Sequence, residues 1–178
     1  TQTVHSFLTM RESLLSFQIH PVSIIISKSV DNFFNFIIPF LFLLVFLSQY
    51  ESYNLIGLLF LPLSFFILFV GVTSMALFLS TLQVFFRDTQ YITNFILSIM
   101  FFLTPIFYPR HLIPEKFQIL VDLNPFYALI RMFKVSLWEF NYVELIASLI
   151  NSTLFVTASI VLTTMLWRKA RNELYINI

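Results

Sequence analysis

The chain is 178 residues long, 58% hydrophobic and 11% charged, with 24 phenylalanines, no cysteine and a formal net charge of +1. Soluble domains carry about 25% charged residues, so this chain cannot cover a water-facing surface and reads as an integral membrane protein. No basic face exists to neutralise phosphates, which excludes a nucleic-acid partner, and without cysteine neither disulfides nor thiolate metal sites can form.

Residues 1–21 lack the compact apolar core and small-residue cleavage site of a signal peptide. The chain opens on Thr1 with no initiator methionine, by ordinary processing or by loss of something upstream. Within this segment "RESLLSFQIHP", Arg11–Pro21, follows polar Arg11 and Glu12 with apolar Leu14, Leu15 and Phe17. Alone, that pattern describes a helix lying on membrane lipid.

An α-helix needs about 20 predominantly apolar residues to cross hydrocarbon. Residues 22–50, 55–82, 91–108 and 145–167 qualify, and their apolar runs are continuous, unlike the alternation of a barrel strand. Pro39 and Pro62 fall inside spans, where membrane helices tolerate them and each is expected to kink its helix. Lys28 and Asp31, three apart in the first span, are expected to pair on one helix face. Between the second and third spans lies a short turn, 83–90, holding Arg87 and Asp88; Asp88 is placed to start the next helix, where a carboxylate is favoured.

Residues 109–142 are too polar to span. Pro114 can open a short helix with Phe117, Leu120 and Val121 on one side, which Asn124-Pro125 ends. A second helix places Phe126, Leu129, Ile130, Phe133 and Leu137 at helical spacing, with Arg131 and Lys134 off the stripe. Tyr108, Tyr127, Trp138 and Tyr142 flank this pair, as an interfacial aromatic belt would. Arg168, Lys169 and Arg171 put the tail, 168–178, in the cytoplasm by the positive-inside rule, and four crossings return the N-terminus to the same side. The expected fold is an all-α polytopic membrane protein: one domain over 1–178, about four transmembrane helices and two short amphipathic helices at the outer interface.

The chemistry of catalysis is missing. A phosphate-binding loop needs G-x-x-x-x-G-K-[ST], and the chain's two glycines, Gly57 and Gly71, lie within a span. His5, His20 and His111 are too scattered for a metal cluster, and no acids converge with a histidine base. The chain reads as neither an enzyme nor a cofactor protein.

One ordered set of residues is specific. Phe85, Phe86, Arg87 and Asp88 are followed by Thr104, Pro105, Ile106, Phe107, Tyr108 and Pro109, then Ile113, Pro114, Leu123, Asn124, Pro125 and Arg131. This series resembles the ABC-2 type permease family, and within it the membrane subunits that export O-antigen, capsule or teichoic acid polymers. The resemblance implies a homodimer of six-span subunits in the bacterial cytoplasmic membrane, paired with two copies of a separate ATP-binding subunit and moving a lipid-linked glycan. It implies that Arg11, Glu12, Leu14, Leu15 and Phe17 dock the ATPase, and that the two short helices are gate-like elements at the outer mouth. It also opens a second role for Phe107, Tyr108, Tyr127, Trp138 and Tyr142, as a track on which sugar rings stack. The chain departs from the pattern in having four spans, so two would precede Thr1 in a longer protein; a fragment and a truncated gene both fit. An exporter of lipids or drugs, and a non-transporting remnant, remain open as alternatives.

Overall fold

A computed structural model describes residues 21–47, 49, 55–86, 88–105, 108, 112–138 and 140–177. Every regular element among them is helical: α1 (Pro21–Leu47), α2 (Leu55–Leu58), α3 (Leu61–Phe85), α4 (Thr89–Leu103), α5 (Glu115–Asp122), α6 (Pro125–Leu137) and α7 (Tyr142–Asn177). Among the described residues three stretches are long and apolar enough to cross a membrane: Val22–Phe46, Ile56–Phe85 and Tyr142–Lys169. The protein is therefore an integral membrane protein.

Prolines set the ends of several elements. Pro105 has no N–H and disfavours helical backbone at the residue before it. Thr104 is accordingly extended, with φ −79° and ψ 123°, and α4 ends at Leu103. The expected 91–108 span is helical only as far as Leu103, within a helix of 15 residues, Thr89–Leu103. At 1.5 Å per residue these reach about 22 Å, short of the ~30 Å hydrocarbon thickness. Pro62 sits in the first turn of α3, after a break at Leu59–Phe60, where its missing N–H has no helical partner to lose. Pro39 lies inside an unbroken α1. Asn124 stands at the N-cap of α6, as its residue type suggests, and Pro114 takes the N-cap position of α5 without a side-chain cap bond.

The bundle is built on α3 and α7, which share the most extensive interface, with α6 packed against both and α1 against α3. The central cluster joins Leu61 and Ile67 of α3, Leu129, Met132, Phe133 and Leu137 of α6, and Val156 of α7. Phe40, Phe65 and Phe133 bring α1, α3 and α6 together edge-to-face, with ring centroids 4.9–5.6 Å apart. A second cluster, Ile24, Ile25 and Val84, packs with Ala76, Leu77, Phe85 and Trp167 and ties the start of α1 to the ends of α3 and α7. Lys28 and Asp31 form no ion pair with each other. Arg131 and Glu144 do form an ion pair, at 3.6 Å.

Both glycines mark close approaches. A Cβ on Gly57 would fall 1.8 Å from the Ser136 carbonyl oxygen, and one on Gly71 would fall 2.9 Å from Val156 Cγ2. The first obstacle is backbone and the second a side-chain methyl. Gly57→Ala is expected to destabilise the protein by about 1–3 kcal/mol through overpacking. Gly71→Ala should cost less, because a gain of about 1 kcal/mol in helix propensity opposes the clash. Thermal unfolding of the two detergent-solubilised variants checks the ranking, and equal losses would contradict it.

Candidate functional site

The candidate site is the segment in which the chain leaves α4, turns through 104–124 and re-enters the bundle as α6. Thirteen residues long, α6 cannot span, yet Tyr127, Leu129, Met132, Phe133, Val135, Ser136 and Leu137 are all buried. Leu129 approaches Gly71 and packs with Val156, each near the middle of its own span. The helix is thus re-entrant, packed deeper than its amphipathic stripe implies. Of that stripe Leu129, Phe133 and Leu137 are buried, whereas Ile130 is 39% exposed. A non-spanning segment at this depth is tolerable only where protein surrounds it.

Its starting point explains how the backbone is satisfied there. Asn124 Oδ1 accepts from Phe126 N at 2.9 Å, capping α6, and Asn124 Nδ2 donates to Thr104 Oγ1 at 2.8 Å. Thr104 Oγ1 in turn donates to Met100 O at 2.6 Å, at the end of α4. Both residues are buried, at 3% and 2% exposure. Two dipeptides twenty residues apart in sequence, Thr104-Pro105 and Asn124-Pro125, meet in one buried hydrogen-bond chain that joins α4 to α6. Below this joint Phe126 and Leu129 overhang a largely apolar cavity of about 220 Å³, with Leu97, Met75 and Phe155 opposite. The cavity holds no acid, base or thiol.

Farther along α6, the guanidinium carbon of Arg131 lies 5.8 Å from the Tyr127 ring centroid, and its Nη2 lies 3.6 Å from Glu144 Oε2 at the start of α7. The exposures of 24% and 47% make this a modest ion pair. Ser152 Oγ adds a second tie by donating to Ala128 O at 2.7 Å.

The aromatic residues singled out above are spread apart. Tyr127 is buried under Arg131, Tyr108 donates its hydroxyl to Phe102 O at 3.1 Å, and Trp138 and Tyr142 are exposed, Tyr142 edge-on to Phe140. Phe107, Arg87 and Pro109 lie outside the described residues, as do Arg11, Glu12, Leu14, Leu15 and Phe17. Phe86 is exposed and Pro105 buried. Asp88 takes the N-cap position of α4 without a side-chain cap bond; Thr89 Oγ1 instead donates to Phe86 O at 2.6 Å. Among the described residues no three metal-ligating side chains come together. Sequence reasoning missed the row of α7 hydroxyls at Ser148, Ser152, Ser159 and Thr163. Their helical spacing of four, seven and four residues was the available signal.

The Asn124–Thr104 link can be tested by double-mutant cycle. Thr104→Val leaves the Asn124 amide donor buried without its acceptor, at about 1–3 kcal/mol, and Asn124→Ala removes the cap, at about 0.5–2 kcal/mol. Combined, they should cost less than the sum, since the orphaned donor disappears with its residue. Strict additivity in thermal unfolding would show that the two side chains do not interact.

Against known proteins, the description of the ABC-2 type transporter family matches residues 3–138. The chain is also similar to proteins described as O-antigen export system permease protein RfbA. One from Klebsiella pneumoniae is 32% identical over 71 residues, 38% of this chain and 27% of that protein. Another from the same organism is 41% identical over 51 residues, 29% of this chain and 20% of that protein. One from Myxococcus xanthus is 26% identical over 124 residues, 68% of this chain and 46% of that protein. The chain spans less than half the length of these curated relatives. The match over 3–138 takes in the re-entrant segment and the Thr104–Asn124 joint on which it hangs, and with that extent of agreement the chain belongs to the ABC-2 type transporter family.

Proposed function

We propose that this chain is the membrane-embedded part of an ATP-driven exporter that moves a lipid-linked polysaccharide, of the O-antigen, capsule or teichoic acid kind, across the bacterial cytoplasmic membrane. The observation that carries the reading is similarity to O-antigen export permeases over up to 124 residues, in a chain whose family-like dipeptides are joined inside the bundle. In this reading two copies of the permease pair with two copies of an ATP-binding subunit, and both termini face the cytoplasm. The α5–α6 hairpin would stand at the outer mouth, and its re-entrant geometry suits a gate.

In this reading the ATP-binding subunit supplies the energy; these 178 residues hold no phosphate-binding loop. The segment proposed to dock that subunit, Arg11–Pro21, immediately precedes α1 in the sequence. Replacing Leu14 and Leu15 with Asp in the full-length permease should abolish co-purification of the ATP-binding subunit at unchanged membrane level. Undiminished co-purification would remove the docking role from this segment.

Trp138 and Tyr142 keep exposed rings able to stack on sugar C–H faces while offering a polar tip to hydroxyls. Substituting Tyr108 and Trp138 with Leu retains apolar area but loses the flat ring and the polar tip. Surface polymer should fall several-fold while the permease and its ATP-binding subunit remain assembled. Unchanged export would make these rings an interfacial belt, and failure of any surface glycan to depend on the permease would defeat the polysaccharide reading itself.

A further inference from the structure

Along α1, Lys28, Asp31, Asn32 and Asn35 follow one another at three, one and three residues, which places all four on one helix face. Asp31, Asn32 and Asn35 are exposed and Lys28 is half-buried. Among the described residues Lys28, Asp31 and Asn35 have no hydrogen bond or ion pair. Packing sets the depth of this stripe. Ile24 and Ile25 lie against Phe85 and Trp167, where α3 ends and the uncharged stretch of α7 meets Arg168 and Lys169. At 1.5 Å per residue, Asp31 is about 9 Å and Asn35 about 15 Å deeper than Ile25, and 15 Å is about half the hydrocarbon thickness. Asn32 shares the cavity under α6 with Gly71, Leu129 and Phe155, at the level where three helices meet near mid-span. A carboxylate and amides facing lipid at that depth are costly, and such residues inside a span usually face a partner or water.

Two further groups lie behind the stripe. Ser29 Oγ and Thr73 Oγ1 are buried and have no hydrogen-bond partner among the described residues. Neither reaches the carbonyl one turn back, as Ser152 and Thr163 of α7 do. Ser29 is 6% exposed. Both hydroxyls line a second cavity, of about 290 Å³, between α1 and α3, walled by Phe33 and Phe69 and bordered by Asn32. Asn32 lines both cavities, so they meet the stripe at that one side chain. Another helix laid on the bundle could cover the stripe, but it could not reach hydroxyls enclosed behind it. Water can serve both. The cavity has room for several molecules, and its hydroxyls and amide offer the two to four polar partners that a buried water needs.

We propose that the α1 stripe and the cavity behind it form a water-filled crevice, entered beside Lys28 at the Trp167 end of the bundle and reaching mid-membrane at Asn35. Its ligand is water, hydrogen-bonded to Ser29, Thr73 and Asn32 and held toward the mouth by Lys28 and Asp31. Polar groups that lack a protein partner at this depth then stand in water and not in hydrocarbon. The crevice does not depend on what the protein exports, and neither does its test. The chain has no cysteine, so single cysteines can be introduced into the full-length permease in lipid nanodiscs and treated with a charged, membrane-impermeant methanethiosulfonate. The control sites are Phe34→Cys and Leu41→Cys, off the stripe at 61% and 52% exposure. The thiolate is the reactive form, and charge is disfavoured at mid-span, so Asn32→Cys and Asn35→Cys should react about a hundredfold faster than the controls. Equal rates at all four sites would overturn the proposal: uniformly slow reaction would put the stripe against lipid or another helix, and uniformly fast reaction would put this part of α1 outside hydrocarbon. Should either stripe variant fail to reach the membrane, Asp31→Cys, exposed on the same face, takes its place. Ser29→Ala with Thr73→Val removes the hydroxyls that hold water in the cavity and should slow the Asn32→Cys reaction; an unchanged rate would overturn the cavity's part in the crevice.

Discussion

A polar group in hydrocarbon must find its partner within the protein, and the arrangement of α6 follows from that requirement. A helix that starts at membrane depth exposes backbone N–H groups where no water can reach them. Asn124 answers with both ends of one amide: its oxygen caps Phe126 N and its nitrogen binds Thr104 Oγ1. The threonine passes the bond on to Met100 O, so the end of α4 and the beginning of α6 are completed by the same three groups. Neither helix end is self-sufficient. The re-entrant segment can occupy the middle of the bundle because its two polar termini meet there.

The same requirement takes a different form along α7. There the polar groups are hydroxyls, small enough to lie between helices and able to fall back on the carbonyl one turn behind. Asn124 cannot retreat in that way without giving up its link to α4. The bundle therefore contains two kinds of polar contact: one that fixes α6 to α4 through a specific pair of residues, and one that joins α7 to its neighbours without committing to a single partner. Which kind appears is a matter of side-chain chemistry, amide against hydroxyl, more than of position or burial.

Much of this was legible in residue order. The apolar runs located the long helices, and the Pro114 and Asn124-Pro125 signals located the two short ones, because helix starts are governed by local chemistry. Pro105 could also have been read as the end of α4, since its effect on Thr104 is local. The apolar run to Tyr108 concealed it: hydropathy counts residues suited to lipid, whether or not their backbone is helical. The depth of α6 was not legible. Its stripe pattern identifies a buried face, but Ile130 lies on that stripe and is exposed, while Tyr127 and Val135 lie off it and are buried. A helix that packs against four others, α2, α3, α5 and α7, has no single inner side. The Thr104–Asn124 bond was invisible for a related reason, because it depends on two loops converging and neither dipeptide names the other.

Phenylalanine content is the remaining clue, and its meaning changes with the solvent. In water, burying Phe40, Phe65 and Phe133 would itself drive folding. In a bilayer the lipid tails are as apolar as the side chains, so association must come from better contact than lipid provides. Rigid rings meeting edge-to-face at 4.9–5.6 Å supply that through close dispersion contact and complementary quadrupoles. The same three rings also join α1, α3 and α6 at one point, with Phe33 and Phe36 extending the contact between α1 and α3. Interdigitated rings resist translation along the helix axis, so α1, α3 and α6 hold a common register, and Leu149, Phe155 and Val156 of α7 pack into the same cluster.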